Sequence, residues 1–189
     1  MNPETTPAPP PYRREGAYIP RVAAVHDLCG YGKCSLGVAI PVLSAAGCDV
    51  CPVPMGLFSS HTAFPGWYMH DTTDMLADYL AAWGKIGVEI DAVYSGFLGA
   101  PEQVDRIRDL YAMYPNALRV VDPVMADHGA VYPTYTPELC NAMAELACGA
   151  DILTPNLTEA AIILGEPIGE DWAGTDISDE EARRLVDAL

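Results

Sequence analysis

The sequence predicts an α/β fold built on a mainly parallel sheet. Three observations point that way. Short apolar runs alternate about five times with stretches of helical periodicity, which favours parallel strands joined by right-handed crossovers. Two of those runs, Leu118 to Met125 and Asp151 to Glu159, pass into polar residues and a proline, as strands do at the ligand-binding edge of an open sheet. The chain has 189 residues, half of them hydrophobic, enough for one domain with a sizeable core.

Arg21-Val22-Ala23-Ala24-Val25-His26 is the first buried strand. Asp27 to Cys34, with Gly30 and Gly32, reads as a loop, and a helix starts near Ser35 and stops at Gly47. The spacing of this loop fits neither G-x-G-x-x-G nor the P-loop, so its glycines read first as turn residues. The second strand, Asp49 to Leu57, leads into Phe58 to Trp67. That loop carries hydroxyls, His61 and three aromatics, and suits either a pocket wall or a plain surface loop.

From Asp71 to Lys85, Leu76, Tyr79, Leu80 and Trp83 share one helical face. Ala92 to Gly96 is the next strand. Pro101 opens a helix with Val104, Ile107, Tyr111 and Tyr114 on one side. After the strand ending at Asp122, Ala126 to Gly129 reads as a loop, with His128 a surface residue. Thr136 caps a helix with Pro137 at its first position and Gly149 beyond it. Strand 151–154 meets Asn156 and Glu159, spaced as a capping box. Ser178-Asp179-Glu180-Glu181 starts a last helix, with Ala182, Leu185, Val186 and Leu189 on its apolar side. No strand follows that helix, so the domain reads as C-terminally incomplete.

A net charge of -16 argues against nucleic acid as a partner, and the only lysines are Lys33 and Lys85. An anionic ligand would need backbone N–H groups, helix N-termini or a bridging cation. No apolar run approaches the ~20 residues of a membrane span. Residues 1–20 are rich in proline, lack a signal-peptide core and read as a disordered tail, so a cytoplasmic location is expected for a domain over 21–189. The six cysteines suggest buried, reduced thiols. Cys48 and Cys51 form a single C-x-x-C entering a strand, where alternation would separate the sulfurs.

Asp122 and Glu159 are carboxylates at neighbouring sheet ends, and with Thr154 and Asn156 they are candidates to share one crevice. The pair could hold Mg²⁺ against substrate phosphates. The same residues could equally be a helix cap and a strand-end aspartate bonded to its own turn.

Five segments in order, His26 to Gly32, Phe58 to Thr62, Ser95 to Gly99, Val121 to Met125 and Thr154 to Glu159, resemble the pyridoxal/pyridoxamine (vitamin B6) kinases of the ribokinase-like superfamily. The resemblance implies a three-layer sandwich and transfer of phosphate from ATP, with Mg²⁺, to the vitamin's 5′-hydroxymethyl group. It leaves a monovalent cation open and suggests a homodimer. By position, Asp27, His61, Thr62 and Phe97 would bind the vitamer. Asp122, Thr154, Asn156 and Glu159 would lie on the nucleotide side, with Asp122 and Glu159 as metal ligands. Val25-His26-Asp27 lacks the serine that B6 kinases carry there, and Asp27 followed by Gly30 is similar to hydroxymethylpyrimidine kinases. A hydroxymethylpyrimidine kinase or another ribokinase-like small-molecule kinase is therefore the alternative, and the acidic group would favour an amine-bearing substrate. The family's Gly-x-Gly-Asp segment, which supplies the catalytic base and anion hole, is absent from residues 160–189. Gly165-Glu166-Pro167 and Gly169-Glu170-Asp171 do not match it, so little turnover, or a non-catalytic binding module, is expected of these residues alone.

Overall fold

Arg21–Tyr31 (β1) lies at the middle of a six-stranded sheet in the computed structural model, which describes residues 18–168 and 178–189. Its residues Val22 to Asp27 are all buried, the signature of a strand covered on both faces. β1 pairs in parallel with Asp49–Ser60 (β2) on one side and with Ala92–Ser95 (β4) on the other. Met69–Asp71 (β3) is an antiparallel edge strand on β2. Leu118–Val121 (β5) and Ile152–Leu153 (β8) extend the sheet beyond β4, giving the order β3-β2-β1-β4-β5-β8.

The helices sort the core into two sides. Leu36–Ala45 (α1) packs on β1 and β2. Thr73–Ile86 (α2), Glu102–Met113 (α3) and Pro137–Ala147 (α4) pack in succession, α2 on α3 and α3 on α4. Strand alternation follows from this. Ala23 and Val25 join the main cluster with Leu76, Val104, Ile107 and Met143, while Val22 and His26 face Val38, Ala39 and Val42 of α1. Leu157–Leu164 (α5) follows β8, and Asp179–Ala188 (α6) packs on α5.

Several expected boundaries shift, each for a local reason. The strand expected to stop at His26 continues through the glycine loop to Tyr31, because Leu28, Cys29 and Tyr31 pair with Leu57, Phe58 and Ser60. The loop expected from Phe58 is strand as far as Ser60 for the same reason. The helix expected from Asp71 starts at Thr73, because Asp71 pairs with Gly56 and its carboxylate accepts the Thr73 N–H at 2.8 Å. Ala126 to Gly129, expected as a loop, belongs to a hairpin of Ala126–Asp127 (β6) and Ala130–Val131 (β7), turned by His128 and Gly129 at φ 49° and 78°. His128 is exposed there, as expected.

Thr136 caps α4 as its spacing predicts, accepting from the Leu139 N–H at 3.2 Å with Pro137 behind it. On α3 the buried face holds Val104, Ile107 and Tyr111 as expected and adds Gln103 and Leu110. On α6 only Leu185 of the expected apolar side is fully buried; Val186 is 70% exposed. Cys48 precedes β2 and Cys51 lies inside it; all six cysteines are free, but against the expected burial only Cys140 is fully buried and Cys148 is exposed. Of the expected tail, residues 1–17 lie outside the described residues. Residues 18–20 meet the domain: the Tyr18 hydroxyl donates to Asp91 and the Pro20 carbonyl accepts the Asp49 N–H at 2.8 Å.

Candidate substrate and nucleotide site

The sheet reverses its winding at β1. The chain moves outward from β1 to β2, then crosses back to β4 and beyond, so β1 and β4 flank the switch point where open α/β sheets bind ligands. Asp27 and Phe97 each stand two residues past the last β1–β4 pair, Val25 with Ser95. Two devices aim them. Met55 and Gly56 of β2 together oppose the single Asp27, a bulge in the β1–β2 ladder. Gly96 follows β4 with its N–H donating to the Val25 carbonyl at 3.0 Å, and any Cβ there would run into the His26 ring.

A cavity of about 400 Å³ opens at this point. Asp27, His61, Thr62 and Phe97, the four expected vitamer contacts, all line it. So do Phe58 and Trp67 of the segment that read as a pocket wall or a surface loop, and Cys29, Cys34, Ser35 and Tyr132, which sequence reasoning did not place there. The aromatic wall is a chain of ring contacts backed by Tyr135: Phe58 meets Trp67 at a tilt at 5.7 Å and Phe97 edge-on at 5.5 Å, and Phe97 meets Tyr135 edge-on at 5.9 Å. The Tyr135 hydroxyl accepts the Leu98 N–H at 3.2 Å, and burial pushes that hydroxyl's pKa upward.

The floor is polar. Asp27 is 4% exposed; burial raises its pKa, opposed by hydrogen bonds from Ser35 and Cys29. His61 is seated by the turn after β2: its Nδ1 accepts the Ala63 N–H at 3.0 Å, leaving the ring proton to Nε2. Gly32, at φ 86°, packs so closely on His61 that a Cβ would lie 2.9 Å from the His61 Cβ.

A second cavity of about 700 Å³ lies along the α1 side of the sheet. Asp122 and Thr154 line it with His26, Tyr94 and the apolar side of α1. Both residues sit one step beyond their strands, held by Asp122 N–H to Ser95 O at 2.8 Å and Thr154 N–H to Val121 O at 3.1 Å. The two cavities share Ser35 and Val124. Ser35 has φ 46°, uncommon for a residue with a Cβ, at the wall between them. His26, buried and edge-on to Tyr94 at 4.4 Å, is held neutral by desolvation, its pKa lowered to about 4.

Asn156 and Glu159 line neither cavity. They form the capping box of α5: Asn156 Oδ1 accepts the Glu159 N–H at 3.0 Å, and Glu159 Oε2 accepts the Asn156 N–H at 2.9 Å. Glu159 Oε1 also accepts the Met125 N–H at 3.2 Å, and Asn156 Nδ2 donates to the Ala126 carbonyl at 2.8 Å. The cap therefore ties α5 to the segment after β5. Glu159 is 3% exposed, and burial pushes its pKa up to about 7, against the pull of those N–H donors and with the Asp122 charge adding to the rise. Burial raises Asp122 as well. No ion pair among the described residues includes either carboxylate. Carboxylate oxygens are the donors that hard divalent cations take; Asp122 presents its own to the second cavity, while both Glu159 oxygens already accept backbone N–H groups.

One residue that sequence reasoning missed supports the whole edge. Gln103, fully buried on α3, donates from Nε2 to the Met55 carbonyl at 2.8 Å and to Thr73 Oγ1 at 2.9 Å. Its Oε1 accepts the Gly99 N–H at 2.8 Å. A glutamine on an otherwise amphipathic helix carries no sequence signal for such a role.

Known proteins share this chain's sequence pattern and fold. The family model described as phosphomethylpyrimidine kinase matches residues 69–188. Pyridoxal kinase PdxY of Proteus mirabilis is 35% identical over 131 residues, covering 63% of this chain and 44% of that protein. A candidate phosphomethylpyrimidine kinase of Bacteroides thetaiotaomicron, in a crystal form with pyridoxal, superposes with a TM-score of 0.81 at 40% identity, covering 90% of this chain and 60% of that one. Pyridoxal kinase of Lactobacillus plantarum gives 0.79 at 30% identity, with 90% and 59% covered. The chain thus spans about half the length of the curated relatives it matches. Among the described residues no helix is long and apolar enough to cross a membrane.

Proposed function

This chain belongs to the phosphomethylpyrimidine kinase family, with the ribokinase-like fold, and we propose that its two cavities bind a B6 vitamer and ATP for phosphorylation of the vitamer's 5′-hydroxymethyl group. The observation that carries the reading is the meeting of an aromatic pocket with a carboxylate-edged groove across one thin wall, Ser35 and Val124. Such a wall lets an alcohol on one side approach a phosphate on the other, which is the positioning that phosphoryl transfer requires.

In this reading Phe97 holds a face of the pyridine ring, and His61 and Thr62 meet its polar edge. Thr154 lies beside the nucleotide. Asp122 and Glu159 would hold Mg²⁺, directly or through water, which would neutralise charge on the phosphates. Asn156 positions Glu159 through the capping box rather than by touching ligand. The sequence contains no Gly-x-Gly-Asp segment, so we expect vitamer binding to be measurable where turnover by these residues alone is slight. A cytoplasmic homodimer suits the same reading.

Asp27 favours one refinement. A buried carboxyl at the cavity floor, without an ion pair among the described residues, suits a substrate carrying an amine: pyridoxamine or an aminopyrimidine. Isothermal titration of pyridoxal, pyridoxamine and hydroxymethylpyrimidine into the chain separates the options. Binding of a vitamer weakened by Thr62→Val supports the main reading. Equal affinity for pyridoxal and pyridoxamine, unchanged in Asp27→Ser, would remove the amine preference, and binding of none of the three would overturn the proposal.

A further inference from the structure

Strand alternation puts Asp27 and Cys29 on the same face of β1, two residues apart, and the bend at Gly32 brings Cys34 back against them. The Cys34 and Cys29 sulfurs are 3.2 Å apart, and Cys29 Sγ is 3.5 Å from Asp27 Oδ2. All three ligand atoms lie within 4.8 Å of one another, and all three residues line the 400 Å³ cavity. We propose that Asp27, Cys29 and Cys34 form a site for a thiophilic divalent cation, Zn²⁺ foremost, with its fourth ligand position open to the cavity.

The distances suit the ion. Tetrahedral zinc with Zn–S near 2.3 Å and Zn–O near 2.0 Å needs S···O separations of about 3.5 Å and S···S separations of about 3.8 Å. Cys29 and Asp27 already stand at the first separation, and the second requires the sulfurs to part by about half an ångström. Two thiolates select zinc over magnesium, so this site is chemically distinct from the hard-cation pair Asp122 and Glu159. No ion pair among the described residues includes Asp27, so a bound cation would be its charge partner. Binding would release the two thiol protons to solvent and leave the metal with two thiolates and a carboxylate. Three protein ligands and one open position is the arrangement of zinc sites that meet a small molecule. The inference goes beyond the kinase reading, and because an Asp27 that ligates the metal is not free to pair with a substrate amine, this site and the amine preference are alternatives.

The test is Co²⁺ titration of the reduced, metal-stripped chain under nitrogen, followed by absorbance. One Co²⁺ per chain with intense near-ultraviolet sulfur-to-cobalt absorption is expected, displaced by Zn²⁺. The absorption should be lost in Cys29→Ser and in Cys34→Ser and kept in Cys148→Ser, whose cysteine is exposed. Its absence from the folded wild-type chain, or its persistence in either site variant, would overturn the proposal. Should the site variants fail to fold, alkylation of the unsubstituted chain decides. Zn²⁺ should slow labelling of Cys29 and Cys34 and leave Cys148 unaffected; equal labelling with and without Zn²⁺ refutes the site.

Discussion

Burying the Glu159 carboxyl takes it out of water, and the backbone donors that replace the water do not restore its ordinary acidity. Its pKa of about 7 in the folded chain stands above the 4.5 of a free side chain. Between those values the folded chain holds a proton that the unfolded chain has released, so Glu159 makes stability fall as pH rises through that window. His26, held near 4 by burial, has the opposite slope at lower pH and is present in both chains of a comparison. Metal-free Glu159→Gln should therefore gain thermal stability relative to wild type on going from about pH 5 to about pH 7.5. A difference in melting temperature that does not change with pH would contradict this account. Gly96 is a second residue on which packing decides. Gly96→Ala drives a methyl into the His26 ring and should destabilise by about 1–3 kcal/mol in chemical denaturation. Adding His26→Ala should make the double variant less than additive, because the two changes share one clash.

At the scale of elements, two helix caps invite comparison. Thr136 makes one cap bond, to the Leu139 N–H, so Thr136→Ala should cost about 1 kcal/mol. Asn156 makes that bond and also donates to the Ala126 carbonyl, so Asn156→Ala should cost more, which equilibrium unfolding measures directly. Both caps were legible in the sequence because a cap needs only local spacing. So were the strand cores and helix faces, since burial on one side of an element imposes its period on the residues. The continuation of β1 to Tyr31 was not legible. Glycines at 30 and 32 signal a turn, and only the partner strand, by pairing Leu28, Cys29 and Tyr31, draws that segment into the ladder. The His128–Gly129 hairpin was hidden for a similar reason: two-residue strands are too short to show alternation. Among site residues, Asp27, His61, Thr62 and Phe97 were readable by resemblance and converge on one cavity. Cys29, Cys34 and Tyr132 were not, because their proximity is made by the bulge and hairpin rather than by spacing.

For the whole molecule, the decisive relation is between the two cavities, which meet only at Ser35 and Val124. Each has its own lining, one aromatic with a buried acid, the other edged by Asp122 and Thr154. If each holds one substrate, perturbations should separate by cavity. Thr62→Val removes a hydroxyl from the first cavity alone. It should weaken vitamer binding by up to about tenfold, the value of one hydrogen bond, and leave nucleotide affinity unchanged. Asp122→Asn removes charge beside the second cavity and should weaken Mg²⁺-dependent nucleotide binding without altering vitamer affinity. Val124 stands apart from both because its side chain belongs to both walls. Val124→Phe should thicken the partition and weaken both ligands in calorimetric titration, the one substitution of the three that does so. Loss of a single ligand's binding in that variant would mean that the cavities do not present their occupants to each other across this wall, and the geometric basis for transfer between them would fail.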